Sequence, residues 1–118
     1  MAITIDLVTD VVCSHFGVRK DYVLSTNSMP GTRKGEYVEA RHYSMFLCKK
    51  FELGSHNAVG TYFKRDHASI THALKCVQND IKNYRSKQQR LERMIEDIHD
   101  QSVYNEHELC VYPDYINN

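Results

Sequence analysis

Apolar residues recur at helical spacing in four parts of the chain, which lie within residues 6–16, 36–50, 55–77 and 86–98. The stripe in residues 6–16 predicts a first helix with one buried face. The stripe in residues 36–50 predicts a long central helix that is buried along much of one side. Together, the four parts predict an all-α fold.

Capping signals lie beside three of these helices. Thr4 or Asp6 would cap the first helix, and Gly17 would end it. The central helix would close at Gly54, as a left-handed terminus. Ser86-Lys87-Gln88-Gln89 has the form of a capping box and predicts the start of a further helix, which is more often part of a core than a surface for a partner. The apolar face of that helix is formed by Leu91, Met94, Ile95 and Ile98.

Residues 55–77 predict two helices joined by a tight turn. Ser55 suits the N-cap of the first helix, and Arg65 or Asp66 would begin the second, where a carboxylate is favoured. Polar and small side chains from residue 65 to residue 71 remain at the exposed start of the second helix. A helix-turn-helix protein places such residues on base edges in the DNA major groove. The two apolar stripes are Ala58, Val59, Tyr62 and Phe63, and then Ile70, Ala73, Leu74 and Val77.

Two sequence blocks resemble a known family. Lys64-Arg65-Asp66-His67-Ala68-Ser69-Ile70-Thr71-His72-Ala73 resembles G-[RK]-D-H-[TA]-[TS]-[VI]-x-H-A, the signature of the C-terminal DNA-binding domain of the bacterial replication initiator DnaA. The block from Thr32 to Leu47 is similar to that family's T-R-K-R-E-I-V-x-A-R-Q-x-A-M-x-L. The resemblance covers roughly residues 6–100. It implies a compact domain of about five to six helices. One of them is a short second helix over Val18–Leu24, with Val18, Tyr22 and Leu24 turned inward and with Arg19 and Lys20 facing solvent.

The resemblance also implies a set of base-reading residues. Arg65 suits a phosphate or guanine, Asp66 can accept from a cytosine amino group, and His67 can donate to a purine acceptor. Ala68 keeps a methyl group for a thymine contact, and Ser69 keeps a hydroxyl group. On the pattern alone, a cap followed by solvent-facing polar groups is the simpler interpretation. The match to the signature favours base reading.

Further DNA contacts are implied for a loop and for the central helix. Arg33 and Lys34 follow the loop predicted at residues 25–32, and an arginine there suits a narrow minor groove. Gly35 stands where relatives usually carry another basic residue. His72 is expected to pack between helices. Phosphate contacts are implied for Arg41, His42, Lys49 and Lys64.

Length and composition limit which other functions and sites the chain can have. The 118 residues fit one domain, and they hold no G-x-x-x-x-G-K-[ST] loop, so we expect no nucleotide site. No stretch approaches the ~18 consecutive apolar residues of a membrane span, and no secretory signal is visible, which favours a cytoplasmic protein. Reduced thiols are favoured over disulfides or a zinc site, and we expect no metal or other cofactor. The four widely spaced cysteines are Cys13, Cys48, Cys76 and Cys110.

Charge is distributed unevenly although the formal net charge is zero. Residues 33–93 contain thirteen Lys and Arg against six Asp and Glu, whereas residues 95–118 contain six acidic residues and no Lys or Arg. The basic middle fits a DNA-binding surface. We therefore divide the chain into a helix-turn-helix domain at residues 1–101 and an acidic extension at residues 102–118. The extension could shield the basic surface, bind a protein partner or form a homodimer.

Two functions are compatible with these features. The first is a stand-alone, non-enzymatic protein that binds double-stranded DNA sequence-specifically, without an ATPase, in replication, its control or transcription. The alternative is a protein-interaction module that has kept the fold and lost DNA binding, which Gly35, the zero net charge and the acidic extension favour. An enzyme is not expected, because the seven histidines pair with no carboxylate, cysteine or serine in a recognisable catalytic motif.

Overall fold

Six α-helices form the part of the protein that a computed structural model describes, residues 3–24 and 34–110, with side chains for residues 3–24 and 35–103. No strand occurs within those residues, and the predicted all-α fold is confirmed. The helices are α1 (Ile5–Phe16), α2 (Lys20–Val23), α3 (Lys34–Lys50), α4 (His56–Phe63), α5 (His67–Asn83) and α6 (Arg85–Cys110).

Both ends of α1 are capped as the sequence predicts. The Thr4 hydroxyl accepts a hydrogen bond from the Leu7 N–H at 3.1 Å. Gly17 ends the helix in the left-handed conformation, with φ at 66°. The N–H groups of Gly17 and Val18 donate to carbonyls of the last turn at 3.3 and 3.1 Å. This arrangement satisfies carbonyl groups that a helix end would otherwise leave without a partner.

The end of α3 differs from the prediction. Glu52, and not Gly54, adopts the left-handed conformation, with φ at 56°. The N–H groups of Glu52 and Leu53 donate to carbonyls of the last turn of α3, at 3.0 and 2.9 Å, in a Schellman motif. Gly54 is needed for close packing instead, because a Cβ atom there would lie 2.9 Å from the Cβ of Ala58. The prediction of a left-handed Gly54 is wrong because the backbone reverses two residues earlier.

The central helix α3 organises the core. It packs against α1, α2, α4 and α5, while α6 packs against α1 and α5. Tyr43 of α3 is 1% exposed, and its ring centroid lies 5.6 Å from that of Phe16 on α1. Removing such apolar surface from water is the main favourable term in folding. The buried cluster comprises Val8, Val11, Val12, Cys13, Phe16, Val23, Ala40, Tyr43, Met45, Leu47, Cys48, Val59, Phe63, Ile70, Ala73, Val77, Leu91, Met94 and Ile98.

The short helix α2 is tied to α1 by charge as well as by packing. Val23 is its fully buried residue, which the sequence pattern did not single out. Lys20, predicted to face solvent, instead contacts the carboxylates of Asp6 and Asp10 on α1. The prediction failed because the carboxylates belong to another helix. Only partial burial is found for the three residues predicted to turn inward, which are Val18, Tyr22 and Leu24.

The last helix begins earlier and runs further than predicted. The Tyr84 carbonyl accepts from two N–H groups of the first turn of α6, each at 3.1 Å, so Tyr84 stands at the capping position. Ser86 lies inside that turn. The predicted capping box at Ser86 is therefore wrong. α6 runs through the boundary predicted between residues 101 and 102, and Ser102 is buried. The division into two parts stays a prediction.

Several predicted features fall outside the described residues. They include the loop at residues 25–32, Arg33 and the end of the chain from residue 111. Lys34 begins α3, but its side chain is not described. Among the helices that are described, none combines the length and the apolar character needed to cross a bilayer.

Candidate nucleic-acid interface

The helices α4 and α5 form the predicted helix-turn-helix. Ser55 caps α4, and its hydroxyl accepts from the Ala58 N–H at 3.1 Å. The buried face of α4 includes Val59 and Phe63. It joins the cluster that contains the buried residues of α5, which are Ile70, Ala73 and Val77. Most of each predicted stripe is therefore buried in the shared core, although Ala58 is exposed and Tyr62 and Leu74 are only partly buried.

The turn between α4 and α5 depends on two backbone features. Lys64 adopts the left-handed conformation, with φ at 58° and ψ at 45°. Its N–H donates to the Thr61 carbonyl at 3.2 Å, and the Arg65 N–H donates to the Gly60 carbonyl at 2.8 Å. A Cβ atom at Gly60 would lie 2.6 Å from the Arg65 carbonyl oxygen. The turn thus places a lysine where glycine is usually favoured, and it requires glycine four residues earlier.

Asp66 is the N-cap of α5, which confirms the predicted helix start. Its Oδ1 atom accepts from the Ser69 N–H at 2.8 Å. That hydrogen bond is the main cause that lowers the pKa of the Asp66 carboxyl. A helix N-terminus also favours a negative charge at this place.

The five predicted base-reading residues lie together at the start of α5. Asp66, His67 and Ala68 are exposed, while Arg65 and Ser69 are partly buried. The Nη1 atom of Arg65 donates to the carbonyl of the preceding residue at 3.1 Å, which holds the guanidinium near the turn. These side chains form one surface at the capped end of the helix. Their role in base reading stays a prediction.

The ring of His56 stacks on the ring of His67. Their centroids are 4.5 Å apart, and their planes are inclined by 29°. Partial desolvation, and then the charges of Lys49 and His67, lower the pKa of His56. Sequence reasoning missed His56, because the pair depends on how the starts of two helices meet. The available signal was only a histidine at the first position of each helix.

A cleft of about 290 Å³ lies between this surface and α3. The Nε atom of Arg41 donates to the Val23 carbonyl at 2.8 Å, so the Arg41 side chain is held against α2. Burial, and then the charge of Arg65, lower the pKa of Arg41 to about 10, which leaves it charged at neutral pH. Two guanidinium groups at one cleft suit a phosphate. The lining residues are Arg41, His42, Met45, Arg65, Asp66, Ala68, Ser69 and His72.

His42 and His72 connect α3 to α5 beside this cleft. Their ring centroids are 5.6 Å apart, and the planes are nearly perpendicular, at 85°. Burial, followed by the charges of His72 and Arg41, lowers the pKa of His42. The Nε2 atom of His72 lies 3.4 Å from the Sγ atom of Cys76. These contacts fit the packing role expected for His72, although its side chain is exposed.

The predicted phosphate contacts are only partly brought together. Arg41 and His42 line the cleft, and Lys64 is exposed in the turn. Lys49 lies near the end of α3, where its Nζ atom donates to the Gly54 carbonyl at 2.9 Å. Lys49 is also close enough to His56 to lower the pKa of its imidazole. The minor-groove residue Arg33 and the Lys34 side chain lie outside the described residues.

Free thiols are found at Cys13, Cys48 and Cys76 in the described part of the chain. Cys13 and Cys48 are buried free thiols, and burial raises the pKa of Cys13 to about 11 and that of Cys48 to about 12. A raised pKa suppresses the reactive thiolate form. Among the side chains that are described, no three His, Cys, Asp or Glu residues are grouped to hold a metal ion. The Cys110 side chain is outside this set.

Comparison with known proteins places this arrangement in a family. The family model described as "Bacterial dnaA protein helix-turn-helix" matches residues 5–77, which run from α1 into α5. The chain belongs to this DnaA helix-turn-helix family. This membership confirms the resemblance drawn from the two sequence blocks, and with it the prediction of a DNA-binding helix-turn-helix domain.

Curated relatives include several proteins named chromosomal replication initiator protein DnaA. That of Bacteroides thetaiotaomicron is 33% identical over 98 residues, which is 80% of this chain and 20% of the relative. That of Bacteroides fragilis is 34% identical over 98 residues, with the same shares of the two chains. That of a Synechococcus species is 30% identical over 95 residues, covering 80% of this chain and 19% of the relative. The DnaA-like chain thus spans about a fifth of the length of these relatives.

Proposed function

We propose that this DnaA-like chain binds double-stranded DNA sequence-specifically through the start of α5. The observation that carries the proposal is the grouping of Arg65, Asp66, His67, Ala68 and Ser69 at the capped N-terminus of that helix. The second helix of a helix-turn-helix enters the major groove with its N-terminal residues foremost. The names of the DnaA relatives support a link to chromosomal replication.

Positive charge beside this surface would supply the contacts to the DNA backbone. Arg41 and Arg65 share one cleft, and Lys64 is exposed in the adjoining turn. Phosphate contacts fix the position of a protein on the duplex, whereas base contacts supply specificity. We therefore assign Arg41 and Lys64, with His42 and Lys49, to the phosphate backbone. Arg33 and Lys34 are proposed to reach the adjacent minor groove, where a narrow groove attracts guanidinium groups.

The proposed activity is binding and not catalysis. It requires no nucleotide, metal or other cofactor, because all the contacts come from side chains and the helix N-terminus. We propose that the domain binds DNA without an ATPase acting alongside it, in the cytoplasm. Its role would be in replication, the control of replication or transcription.

A protein-interaction module is the alternative function. It is favoured by the zero formal net charge and by the six acidic residues that follow residue 95. Gly35, which has open space around its Cα atom, provides no positive side chain at a place where relatives usually have one. In this alternative, the extension at residues 102–118 would bind a protein partner or a second copy. The chain would then retain no DNA.

Selection from a random DNA pool tests the proposal. The 118-residue protein is incubated with duplexes that have a randomised central segment, and the retained duplexes are sequenced over several rounds. Enrichment of a common short site supports sequence-specific binding. The matched control is the triple variant Arg65→Ala, His67→Ala, Ser69→Ala, which keeps the Asp66 cap and should enrich no common site. If the unmodified protein retains no DNA, the alternative function is supported, and if it retains only unrelated sequences, the proposal of sequence-specific binding is refuted.

A further inference from the structure

We propose that His56 is a positioning residue for base reading, because its ring stacks on His67 and holds that side chain in one orientation before DNA binds. This inference rests on the proposed DNA-binding function and adds a residue from α4 to it. The centroid distance of 4.5 Å and the inclination of 29° describe a stacked pair and not an edge contact. His56 lies outside the signature that suggested the other reading residues.

The location of the two rings explains why the stack matters. His56 is the first residue of α4, and His67 is the first residue of α5. His67 is exposed, so without a neighbour its side chain would sample several rotamers. An ordered side chain loses less conformational entropy when it binds, which is the general benefit of preorganisation. The stack therefore orders a reading side chain that its own helix leaves exposed.

Stacking uses the ring faces and leaves the ring edges for DNA. The nitrogen atoms of an imidazole lie on its edge, where a neutral ring offers one donor and one acceptor. A purine presents acceptors such as N7 in the major groove, and these can be reached by a ring edge. His56 therefore supports His67 without competing for the atoms that would contact the base.

The charges around the pair favour a neutral His56. Lys49 approaches from the end of α3, and both rings stand at helix N-termini, which disfavour an added positive charge. Asp66 is the neighbouring acidic group, and its carboxylate is held by the Ser69 N–H. A neutral His56 avoids the repulsion that two imidazolium rings would have at this distance.

Two substitutions at the same position separate stacking from direct contact. His56→Ala removes the stack, whereas His56→Phe keeps an aromatic face and removes the ring nitrogens. His99→Ala is the matched control, because it also removes a histidine–aromatic contact, that with Phe51 at 5.4 Å, away from the reading surface. Affinity is measured for a duplex that carries the site enriched from the random DNA pool, and for an unrelated duplex. Circular dichroism checks that each variant is folded.

The expected result is specific to the selected site. His56→Ala should weaken binding to that site about 3- to 10-fold, the scale of one aromatic pair, and binding to the unrelated duplex by less than about twofold. His56→Phe and His99→Ala should remain within about twofold of the unmodified protein. An unchanged His56→Ala variant would overturn the proposal. So would a His56→Phe variant as weak as His56→Ala, because it would show that the ring nitrogens of His56 contact the DNA.

A measurement without DNA separates this inference from the proposed function. In the NMR spectrum of the free protein, the His67 ring protons should shift in His56→Ala through loss of the ring current, and shift much less in His56→Phe. Unchanged His67 signals in His56→Ala would show that the stack is absent and would overturn the inference alone. A shift in those signals, with no selected DNA site for the unmodified protein, would mean that the proposed function itself has failed.

Discussion

Gly60 of α4 lies directly against the carbonyl group of Arg65. A Cβ atom on Gly60 would come within 2.6 Å of that oxygen, and the Arg65 N–H donates to the Gly60 carbonyl at 2.8 Å. The backbones of these two residues are therefore held in contact from both sides. This contact determines how closely the turn folds back on α4, and hence where α5 begins.

Gly60→Ala should destabilise the domain by ~1 to 3 kcal/mol, because backbone has to move to admit the methyl group. Urea unfolding followed by circular dichroism measures this change. Gly35→Ala is the control, because nothing lies within 4 Å of a Cβ atom there. As a helical glycine, Gly35 should give a gain of up to ~1 kcal/mol when replaced by alanine. Equal effects of the two substitutions would contradict the importance of the Gly60 contact.

Asp66 is expected to have two separable roles, as a helix cap and as a base-reading residue. Asp66→Ala should lower the urea midpoint, whereas Asp66→Ser should preserve it, because serine also caps helices. Both substitutions should weaken binding to the selected DNA site if the carboxylate reads a base. Full affinity in Asp66→Ser would limit Asp66 to capping.

The lowered pKa of Asp66 also predicts how stability depends on pH. The carboxylate stabilises the folded protein above its ordinary pKa of about 4, and this contribution disappears as the pH falls through the lower folded value. Asp66→Ser should lack this part of the acid dependence.

His67→Ala should weaken binding to the preferred DNA site by ~1 to 3 kcal/mol, the usual value of one good base contact. Binding to unrelated duplex should hardly change, because His67 is not assigned to a phosphate. Titrations of both duplexes at one salt concentration provide the comparison. An equal loss of affinity for both would show that His67 does not read bases.

Arg33→Ala should weaken DNA binding and reduce the slope of log affinity against log salt by about one unit. The physical reason is that the variant would release fewer condensed counterions from the duplex. Affinity measured between low and moderate salt gives the slope. Lys82→Ala, at an exposed position near the end of α5, serves as the comparison. If the slope stays unchanged in Arg33→Ala, the loop does not contact the backbone or the minor groove.

His42→Gln should make stability less sensitive to acid. The folded protein lowers the pKa of His42 through burial and the charges of His72 and Arg41, so protons bind the unfolded chain more readily. The contribution of His42 is therefore present above its ordinary pKa of about 6.5 and is lost as the pH falls below it. Urea unfolding at pH 7.5 and pH 5.5 should show a smaller difference for His42→Gln than for the unmodified protein. An identical difference would exclude His42 as a source of acid sensitivity.

The helix ends that sequence reasoning predicted correctly are those fixed by nearby residues. Thr4, Ser55 and Asp66 each accept from an N–H three residues further along the chain, so the pattern contains both partners. The residues predicted to read bases, 65–69, follow instead from the resemblance to the DnaA signature, and that role stays a prediction. Their association with α3 across the cleft could not be read from spacing.

The errors arise where a neighbouring element decides the local structure. Gly54 lies close to Ala58 and does not form the left-handed end of α3. Tyr84 follows the last residue of α5 and directly precedes α6. Because α6 begins at residue 85, Ser86 lies inside the helix and cannot cap it. The His56–His67 pair depends on the angle at which α4 meets α5. Such features require the packed structure, because no local signal specifies them.

Lys64, which is left-handed in the turn, lowers the stability of the fold but provides a positive charge at that place. A residue with a Cβ atom is disfavoured in that conformation by roughly 1 to 2 kcal/mol relative to glycine, and Glu52 at the end of α3 carries the same disadvantage. Glu52→Gly would relieve the backbone without removing a positive charge. Glycine at position 64 would relieve it too, but would remove an ammonium group from the edge of the reading surface. A variant designed for higher thermal stability would therefore carry Glu52→Gly and keep Lys64.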